Sequence, residues 1–416
     1  MKKHVVIVGA GFAGINVAKQ LRSTNYNITI VDKSNHHLFQ PLLYQVATAA
    51  LSPGDIAIPI RALFTKQKNI NVMMGEVTRI DKEKRVLGFA DGEELSFDYL
   101  IMAPGAQYNY FGNEGWKKHA PGLKSLKNAL SIRERILTSL EKAEKIIDAD
   151  KRKPYLTYVV IGAGPTGVEM AGSIAEIAKR NMMRDYRNFS PDETRIYLVE
   201  AMDKVLGAFP EPLPDSARED LEKMGVQVLL NSPVKDITES GVQLEDQFIE
   251  TPNVIWGAGV SAAPVLSELN EEQDRIGRVI VNSDLSISSD PNIFVLGDAA
   301  HFKDDEGNPL PGLAPVAIQQ GKYIGKLIKD DARGKERTDF KYVDKGTMAT
   351  IGRAKAVADI RGLKLTGFLA WIMWGFIHIF FLIGFRNRFR VFAEWMWHYI
   401  TFKRGVRLIA KNEDEE

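Results

Sequence analysis

The 416-residue sequence contains no cysteine. This absence excludes disulfide bridges, thiolate metal sites and any redox mechanism that cycles a pair of thiols. An excess of charge of one sign is also missing, since 54 Lys and Arg residues nearly balance 53 Asp and Glu residues. A chain without a basic surplus lacks the attraction that nucleic acids need, so we expect no nucleic-acid partner. We expect no metal site either.

The N-terminus lacks an export signal in our interpretation. The stretch MKKHVVIVGAGF begins like a short signal peptide, but a glycine-rich turn interrupts its apolar run. We therefore expect a protein that faces the cytosol, and the length predicts two or three domains.

The first 32 residues carry a dinucleotide-binding fingerprint. An apolar run from Val5 leads into a turn and a helical pattern, and a second apolar run ends at Asp32. Such a βαβ unit uses its glycines for a tight turn, for close approach to a pyrophosphate and for helix packing, and its terminal acid binds a ribose. The candidate residues in the turn are Gly9, Ala10, Gly11, Phe12, Ala13 and Gly14.

The same pattern repeats after Thr157, and its returning strand again ends in an acid, Glu200. Two fingerprints predict two dinucleotide sites. No Lys or Arg directly follows Glu200, and its carboxylate would repel a 2′-phosphate, so we expect NADH to be preferred to NADPH. The other candidate residues of this second site, including a later glycine turn, are Gly162, Gly164, Pro165, Gly167, Gly257 and Gly259.

Glu169 lies in the first part of the second fingerprint helix, where the first copy has Asn16. The helix dipole favours a carboxylate there, so stabilisation of the helix is one interpretation. The other is a group that handles protons beside the chemistry, because a carboxylate facing anionic phosphates is otherwise unfavourable. The residues leave both interpretations open.

Three later segments fit a flavin. Two strands end in small residues, which let the backbone pass close to a cofactor, and Asp298 suits a polyol such as the ribityl chain. A helix then begins with a proline near its first position, and its free N–H groups would stabilise negative charge on a reduced flavin. The candidate residues are Ala103, Pro104, Gly105, Gly297, Asp298, Ala314, Pro315 and Val316.

The segment from Lys33 to Arg61 is apolar, contains Gln40 and Gln45 and is interrupted by prolines. This composition suits a chain that covers a flat ring. A buried connector between domains is the alternative.

The C-terminal part combines apolar, aromatic and cationic residues. The stretch from Thr366 to Phe385 has no formal charge, and four of the six tryptophans lie beyond residue 370. Eleven Lys and Arg residues stand against two acids between Arg353 and Lys411. These features suit an anionic membrane surface, and we favour two interfacial helices, the second over residues 390–403, over one spanning helix. A dimer interface would explain the apolar residues but not the cations.

Together these features resemble the type II NADH dehydrogenases, the single-subunit, non-proton-pumping NADH:quinone oxidoreductases. The resemblance covers nearly the whole chain and rests on the paired fingerprints, HHLFQPLLYQVAT, VLGDAA, APVAIQQG and the Trp- and Arg-rich C-terminus. It implies an α/β fold with two Rossmann-like domains on the glutathione-reductase plan, followed by amphipathic membrane-binding helices. The corresponding domains are an FAD-binding domain (1–120 and 285–345), an NADH-binding domain (121–284) and a membrane-anchoring region (346–416).

The resemblance further implies noncovalent FAD, NADH as the donor and a membrane quinone as the electron acceptor. We expect NADH to deliver a hydride to the flavin N5 at the cytoplasmic face of the cell membrane. We also expect a homodimer, with the helical C-terminus serving both the dimer and the bilayer. Lys33, Gln45 and Val77 join the FAD-binding residues. Glu169 and Gln319 take catalytic roles, Glu169 in quinone reduction or proton supply. Ala317 and Gln319 line the quinone site, whereas Pro315 replaces a glutamine of many relatives, whose quinone contact cannot be carried over. His378 either substitutes for a lysine that some relatives carry in the first C-terminal helix and joins the quinone site, or is a simple interfacial histidine.

Two other functions fit parts of the sequence. A reductase of a soluble electron-transfer protein shares the two-fingerprint plan, and its basic C-terminal segment would dock an acidic partner. A membrane-bound sensor would bind FAD and NADH without turnover. Disulfide reductases and sulfide:quinone reductases share the plan too, but they need the cysteines that this chain lacks.

Overall fold

The computed structural model describes residues 2–178, 185–401 and 406–409. Over these residues the strands are β1 His4–Val8, β2 Asn27–Asp32, β3 His36–Leu38, β4 Ala57–Pro59, β5 Ile70–Met74, β6 Val77–Asp81, β7 Val86–Phe89, β8 Glu94–Ser96, β9 Tyr99–Met102, β10 Ala106–Tyr108, β11 Thr157–Ile161, β12 Arg195–Val199, β13 Val226–Leu229, β14 Asp236–Thr238, β15 Gly241–Gln243, β16 Phe248–Glu250, β17 Asn253–Trp256, β18 Val260–Ala262, β19 Val279–Ile280, β20 Ile293–Val295, β21 Ala300–His301, β22 Thr347–Gly352, β23 Lys355–Ile360 and β24 Leu363–Thr366. The α-helices are α1 Phe12–Leu21, α2 Leu43–Ala47, α3 Pro53–Ile56, α4 Ile60–Phe64, α5 Trp116–His119, α6 Leu126–Lys145, α7 Ala149–Arg152, α8 Pro165–Glu176, α9 Leu213–Lys223, α10 Ala314–Asp331, α11 Gly367–Phe381 and α12 Phe385–Thr401.

The chain packs as two compact units, each assembled from separate segments. The first contains Met1–His37, Ile58–Gln107 and Val260–Asp344; the second contains Leu38–Ala57, Tyr108–Gly259 and the residues from Lys345 onward. These limits differ from the predicted domains. Residues 260–284 belong to the first unit because Leu266, Leu269 and Val279 are buried in its core with Val6. Residues 38–57 and 108–120, predicted as part of the FAD-binding domain, pack in the second unit.

The first unit is built on a parallel sheet with the strand order β20-β9-β1-β2-β5. Its central strand β1 is rich in β-branched residues, and Val5, Val6 and Ile7 are fully buried, as expected for a strand covered on both faces. Helix α10 lies directly against α1, since a Cβ on Gly321 would come within 2.4 Å of the Ala13 carbonyl oxygen. The carboxyl ends of β1, β2, β9 and β20 meet at one edge, which is where α/β sheets bind ligands.

The second unit contains a parallel sheet with the order β13-β12-β11-β17. Val159, Ile161, Val254 and Trp256 are buried on it with residues of the preceding segment, among them Trp116. The second fingerprint follows β11, so it lies at the carboxyl edge of this sheet. Two parallel sheets, each crossed over by a fingerprint helix, confirm the predicted fold class.

The C-terminal part of the second unit is an antiparallel sheet, β22-β23-β24, followed by α11 and α12. Alanines let α11 pack closely on β23, where Ala356, Ala358 and Ala370 form a small core. Helix α11 covers only residues 367–381 of the predicted 366–385. Three of the cations counted above, Lys403, Arg404 and Lys411, lie outside the described residues. Within the described part of the chain, every helix is too short or too polar to cross a bilayer.

Candidate functional site

The first fingerprint turn is built so that only glycine fits at two of its positions. Gly9 has φ = 100°, and a Cβ there would lie 2.1 Å from the Ala103 carbonyl oxygen. A Cβ on Gly14 would lie 1.9 Å from the Gly9 carbonyl oxygen. At Gly11, by contrast, a Cβ would meet no atom within 4 Å. Open space at the N-terminus of α1 is what an approaching pyrophosphate requires.

Asp32 holds this turn from the end of β2. Its Oδ2 accepts a hydrogen bond from the Ala10 N–H at 2.7 Å, and its Oδ1 accepts from the backbone and hydroxyl of Ser34. The carboxylate therefore fixes the loop as well as offering its remaining lone pairs to a ribose. Beside it lies a cavity of about 70 Å³ lined by Val8, Gly9, Val31, Asp32, Lys33, Gly75, Glu76, Val77 and Pro104. The structure thus brings five predicted FAD residues together around one space.

His37 is a part of this site to which the sequence analysis gave no role. It is 1% exposed, and its Nδ1 lies 2.8 Å from the Ala10 carbonyl oxygen, so the Nδ1–H tautomer donates to the fingerprint loop. Burial lowers the pKa of its imidazole to about 4. His37 is therefore neutral at physiological pH and stabilises the loop through its hydrogen bond to Ala10. The sequence feature that could have indicated this role is the pair His36-His37 shortly after Asp32.

We expect the thermal midpoint of unfolding to fall as the pH drops from about 6.5 towards about 4. In that window an unfolded His37 takes up a proton while the buried imidazole, with its pKa of about 4, does not. His37→Gln, whose amide can donate to the same carbonyl without titrating, should flatten part of this dependence. An unchanged slope in His37→Gln would contradict the assignment.

Helix α10 and the Gly297–Asp298 turn are held together by a second unpredicted residue. The buried Gln320 side chain accepts a hydrogen bond from the Gly297 N–H at 2.6 Å. Gly312 passes close to Asp298, since a Cβ there would lie 3.2 Å from the carboxylate Oδ1. The helix starts with Ala314, Pro315 and Val316, as the sequence predicts.

Gln319, predicted as a catalytic and quinone-binding residue, uses its amide within the protein. Its Nε2 donates to the Val343 carbonyl at 2.9 Å, and its Oε1 accepts from the Val343 N–H at 3.0 Å. This reciprocal pair fixes the segment that leaves the first unit. The structure therefore gives Gln319 a positioning role, while Ala317, two residues earlier, is buried in α10.

The second fingerprint repeats the first in detail. Gly162 has φ = 93°, a Cβ on Gly167 would lie 1.7 Å from the Gly162 carbonyl oxygen, and Gly164 faces open space. Glu200 occupies the position that corresponds to Asp32 in the first fingerprint. Its Oε2 accepts a hydrogen bond from the Ala163 N–H at 2.6 Å, and its Oε1 accepts one from the Met202 N–H at 3.0 Å. Pro165 begins α8 at a position where a backbone N–H would have no partner within the helix, so the missing N–H of proline is tolerated there.

Two further glycines, in the turn that follows β17, lie next to this fingerprint loop. Gly257 donates its N–H to the Ile161 carbonyl at 2.7 Å, next to the fingerprint. Gly259 has φ = 63°, and a Cβ there would come within 2.6 Å of the Phe111 ring. The predicted residues of the second site therefore lie together at one edge of the sheet.

Glu169 lies one turn into α8, beneath strand β22. The Thr350 backbone hydrogen-bonds its carboxyl group, and Gly172 presses against the same strand, where a Cβ would lie 1.7 Å from the Ile351 carbonyl oxygen. The residue keeps partial exposure, yet burial of the carboxyl raises its pKa to about 8. Since the helix dipole stabilises only the ionised form, a group that is neutral at pH 7 is poorly explained as a helix stabiliser.

Gln45 and His378 both belong to the second unit. The Gln45 amide donates to the Tyr44 hydroxyl at 2.8 Å and accepts from the Trp395 indole N–H at 2.7 Å. His378 stacks on Trp374 with ring centroids 4.2 Å apart, and its Nδ1 donates to the Trp374 carbonyl at 2.7 Å. Burial lowers its pKa to about 4, so the ring is neutral and presents Nε2 as an acceptor.

Helices α11 and α12 expose a row of large apolar side chains. Phe389, Phe392, Met396 and Ile400, spaced along one side of α12, are each about half exposed or more. The structure leaves this side of α12 uncovered within the described chain. The exposed residues of α11 are Phe368, Leu369, Ile372, Phe376 and Phe380.

Comparison with known proteins places these features in a family. A model described as pyridine nucleotide-disulphide oxidoreductase matches residues 3–321, and one described as NDH2 C-terminal domain matches residues 345–404. The type II NADH:quinone oxidoreductase Ndh of Mycobacterium tuberculosis is 41% identical over 99% of this chain and 91% of its own length. The type II NADH:quinone oxidoreductase of Staphylococcus haemolyticus is 30% identical over 88% of this chain and 92% of its own.

Among solved structures, NDH2 from Plasmodium falciparum in complex with NADH superposes with a TM-score of 0.89 at 21% identity, covering 99% of this chain and 100% of that one. The sulfide:quinone oxidoreductase of Aquifex aeolicus gives a TM-score of 0.74 at 19% identity, covering 96% of this chain and 95% of that one. At these identities the likeness concerns the fold.

Proposed function

Because the chain belongs to the family of type II NADH:quinone oxidoreductases, we propose that this enzyme uses noncovalent FAD to pass electrons from NADH to a membrane quinone without pumping protons. The observation that carries the proposal is the pair of fingerprint loops, each with a glycine open to a ligand and an acid hydrogen-bonded to the loop. The absence of cysteine leaves no dithiol to relay electrons, although the matching family model is named for disulphide chemistry.

The first unit would hold FAD. When bound, FAD supplies a ring that accepts a hydride from NADH at N5 and passes on two electrons. The open space at Gly11 would take the pyrophosphate, and the cavity beside Asp32 would take part of the adenosine. Asp298, held near Gly312, would bind the ribityl chain, and the N-terminus of α10 would stabilise negative charge.

The second unit would hold NADH at Gly164 and Glu200. Both carboxylate oxygens of Glu200 accept backbone N–H groups, so the acid stays oriented at the loop. A negative charge fixed there would disfavour the 2′-phosphate of NADPH.

Glu200→Gln should relax the preference for NADH over NADPH by about tenfold, the effect of removing one unfavourable charge contact of about 1.4 kcal/mol. The amide keeps an oxygen acceptor for one of the two loop N–H groups. The measurement is the ratio of kcat/KM for the two nucleotides with a soluble quinone. Glu219→Gln, an exposed change on α9, should keep the wild-type ratio, and an equally selective Glu200→Gln would refute the assignment.

Reduction of a quinone consumes two electrons and two protons, and we assign Glu169 the supply of a proton. Its pKa of about 8 keeps the carboxyl protonated at neutral pH, as a general acid requires. We propose that His378, through its acceptor Nε2, contacts a hydroxyl of the quinol product. In the first unit, Gln319 holds the Val343 segment.

We further propose that α11 and α12 bind the cytoplasmic surface of the cell membrane. Large apolar side chains are exposed along both helices, and Arg386, Arg388 and Arg390 stand among them. Aromatic and basic residues together bind the interface of anionic bilayers. A homodimer using part of the same surface fits this proposal.

The deciding experiment compares electron acceptors. Protein in anionic vesicles should oxidise NADH when a quinone is supplied, and it should sediment with the vesicles. A reductase of a soluble carrier would instead stay in the supernatant and need an electron-transfer protein. A sensor would bind NADH without turnover, and either of these results would refute the proposal.

A further inference from the structure

A second cavity, of about 230 Å³, opens in the second unit away from both fingerprint turns. It lies at the amino ends of the strands, because Asn253 begins β17 and Tyr155 precedes β11. The fingerprint follows the opposite, carboxyl end of β11. This cavity is therefore distinct from the predicted NADH site, and its lining residues have no role in the proposed reaction.

One wall of the cavity is a single face of α6. Arg135, Thr138, Ser139 and Lys142 follow the spacing i, i+3, i+4 and i+7, so their side chains point the same way. Lys142 carries its ammonium 5.6 Å from the centre of the Tyr155 ring at the rim. The wall therefore presents two cations and two hydroxyl groups.

Arg135 is a largely covered cation without an acidic partner among the described residues. Its Nη1 donates to the backbone carbonyl of His119 and reaches that of Pro252 at 3.4 Å. Burial lowers the pKa of its guanidinium, as expected for a cation that lacks a counter-charge. Glu239 is the acid among the lining residues and is exposed, whereas Arg135 and Lys142 contribute two positive charges. The cavity is thus electropositive.

Asn253 adds an acceptor at the floor of the cavity. It is 1% exposed, and its Nδ2 donates to the carbonyls of Tyr155 and Thr157, both at 3.1 Å. Its Oδ1 is buried and has no hydrogen-bond partner in the described part of the chain. A buried acceptor without a donor is unfavourable, and a ligand hydroxyl group that reaches Oδ1 through a small shift of the Asn253 side chain would satisfy it.

We propose that this cavity binds a small hydroxylated oxyanion, of the class that includes inorganic phosphate and hydroxycarboxylates. Arg135 and Lys142 bind its anionic oxygens, since a guanidinium fork suits carboxylate and phosphate alike, and its hydroxyl donates to Asn253 Oδ1. The proposal does not depend on NADH or quinone, so it stands or falls separately from the proposed function.

Isothermal titration of the flavin-loaded full chain with inorganic phosphate, malate and succinate tests this proposal. Malate and succinate differ by the hydroxyl group, so we expect malate to bind about tenfold more tightly. The tighter binder of the two, phosphate or malate, shows whether the cavity prefers inorganic phosphate or a hydroxycarboxylate. Equal affinities of malate and succinate, or no binding of phosphate and malate, would overturn the proposal.

Variants locate the binding site. Lys142→Gln should weaken the binding of the tighter ligand about tenfold, because one charge-assisted contact is lost. Thr138→Glu, which adds a carboxylate to the same wall, should abolish binding. Lys127→Gln removes an exposed charge elsewhere on α6 and should leave affinity unchanged. The thermal midpoint without ligand shows that each variant is folded, and binding that survives in both wall variants would overturn the proposal.

Discussion

Glu169→Gln should slow quinone-dependent turnover by about a hundredfold, the lower range for loss of a general acid. Reduction of the bound flavin by NADH should remain close to the wild-type rate, because that step needs no proton from the carboxyl group. The amide preserves the size of the side chain but cannot release a proton. Rapid mixing resolves the two half-reactions, first with NADH and then with a soluble quinone.

The pH dependence separates a proton donor from a merely structural glutamate. The pKa of about 8 predicts that quinone turnover declines as the pH rises through that value and the carboxyl ionises. Glu169→Gln should lack this decline. Glu176→Gln is the matched control, since Glu176 lies two turns further along α8, where it accepts the Arg353 N–H at 2.5 Å. Equal turnover in Glu169→Gln and wild type would return Glu169 to a structural role.

The double variant Phe389→Asp/Phe392→Asp should release the protein from anionic vesicles. The two side chains are 66% and 52% exposed on α12. Withdrawing each from a bilayer interface costs about 1.5 to 3 kcal/mol, so the pair should lower membrane affinity by more than about a hundredfold. Vesicle sedimentation measures the affinity, and NADH oxidation with a soluble quinone should persist because the change is confined to the surface.

The control for this variant is Phe248→Asp, which alters a phenylalanine of β16 that is 47% exposed in the small antiparallel sheet of the second unit. Vesicle binding should not change in this variant. If the α12 double variant still sediments like wild type, the proposed membrane surface is wrong.

Local sequence spacing was enough to predict both fingerprints. Glycines at fixed positions between a strand and a helix define the turn, and Asp32 and Glu200 end the next strand, so their bonds to Ala10 and Ala163 follow from the motif itself. The fold class followed for the same reason, because a βαβ unit requires a parallel sheet.

The partners of several site residues were beyond sequence reasoning. Gln319 is bonded to Val343 and Gln45 to Trp395, contacts that span 24 and 350 positions and leave no local pattern. The pKa of Glu169 depends on β22, which is supplied by the far C-terminal part of the chain. Motif analysis identified these side chains as polar groups near the predicted cofactor and quinone sites. It did not distinguish a group available to a ligand from one already engaged in the protein.

The compact units of the structure differ from the predicted domain limits for a related reason. The chain leaves the first unit and re-enters it at Val260, well before the predicted return at residue 285. The glycine turn at Gly257 and Gly259 directly precedes this crossing. The packing of Leu266 and Leu269 against the core of the first unit decides it.

Anaerobic rapid mixing of the purified holoprotein tests the central claim most directly. Addition of NADH should bleach the visible flavin absorbance within the time of one turnover, and a soluble quinone added next should restore it in full. A protein without flavin absorbance, or one whose bleached flavin is not reoxidised by quinone, would contradict the account.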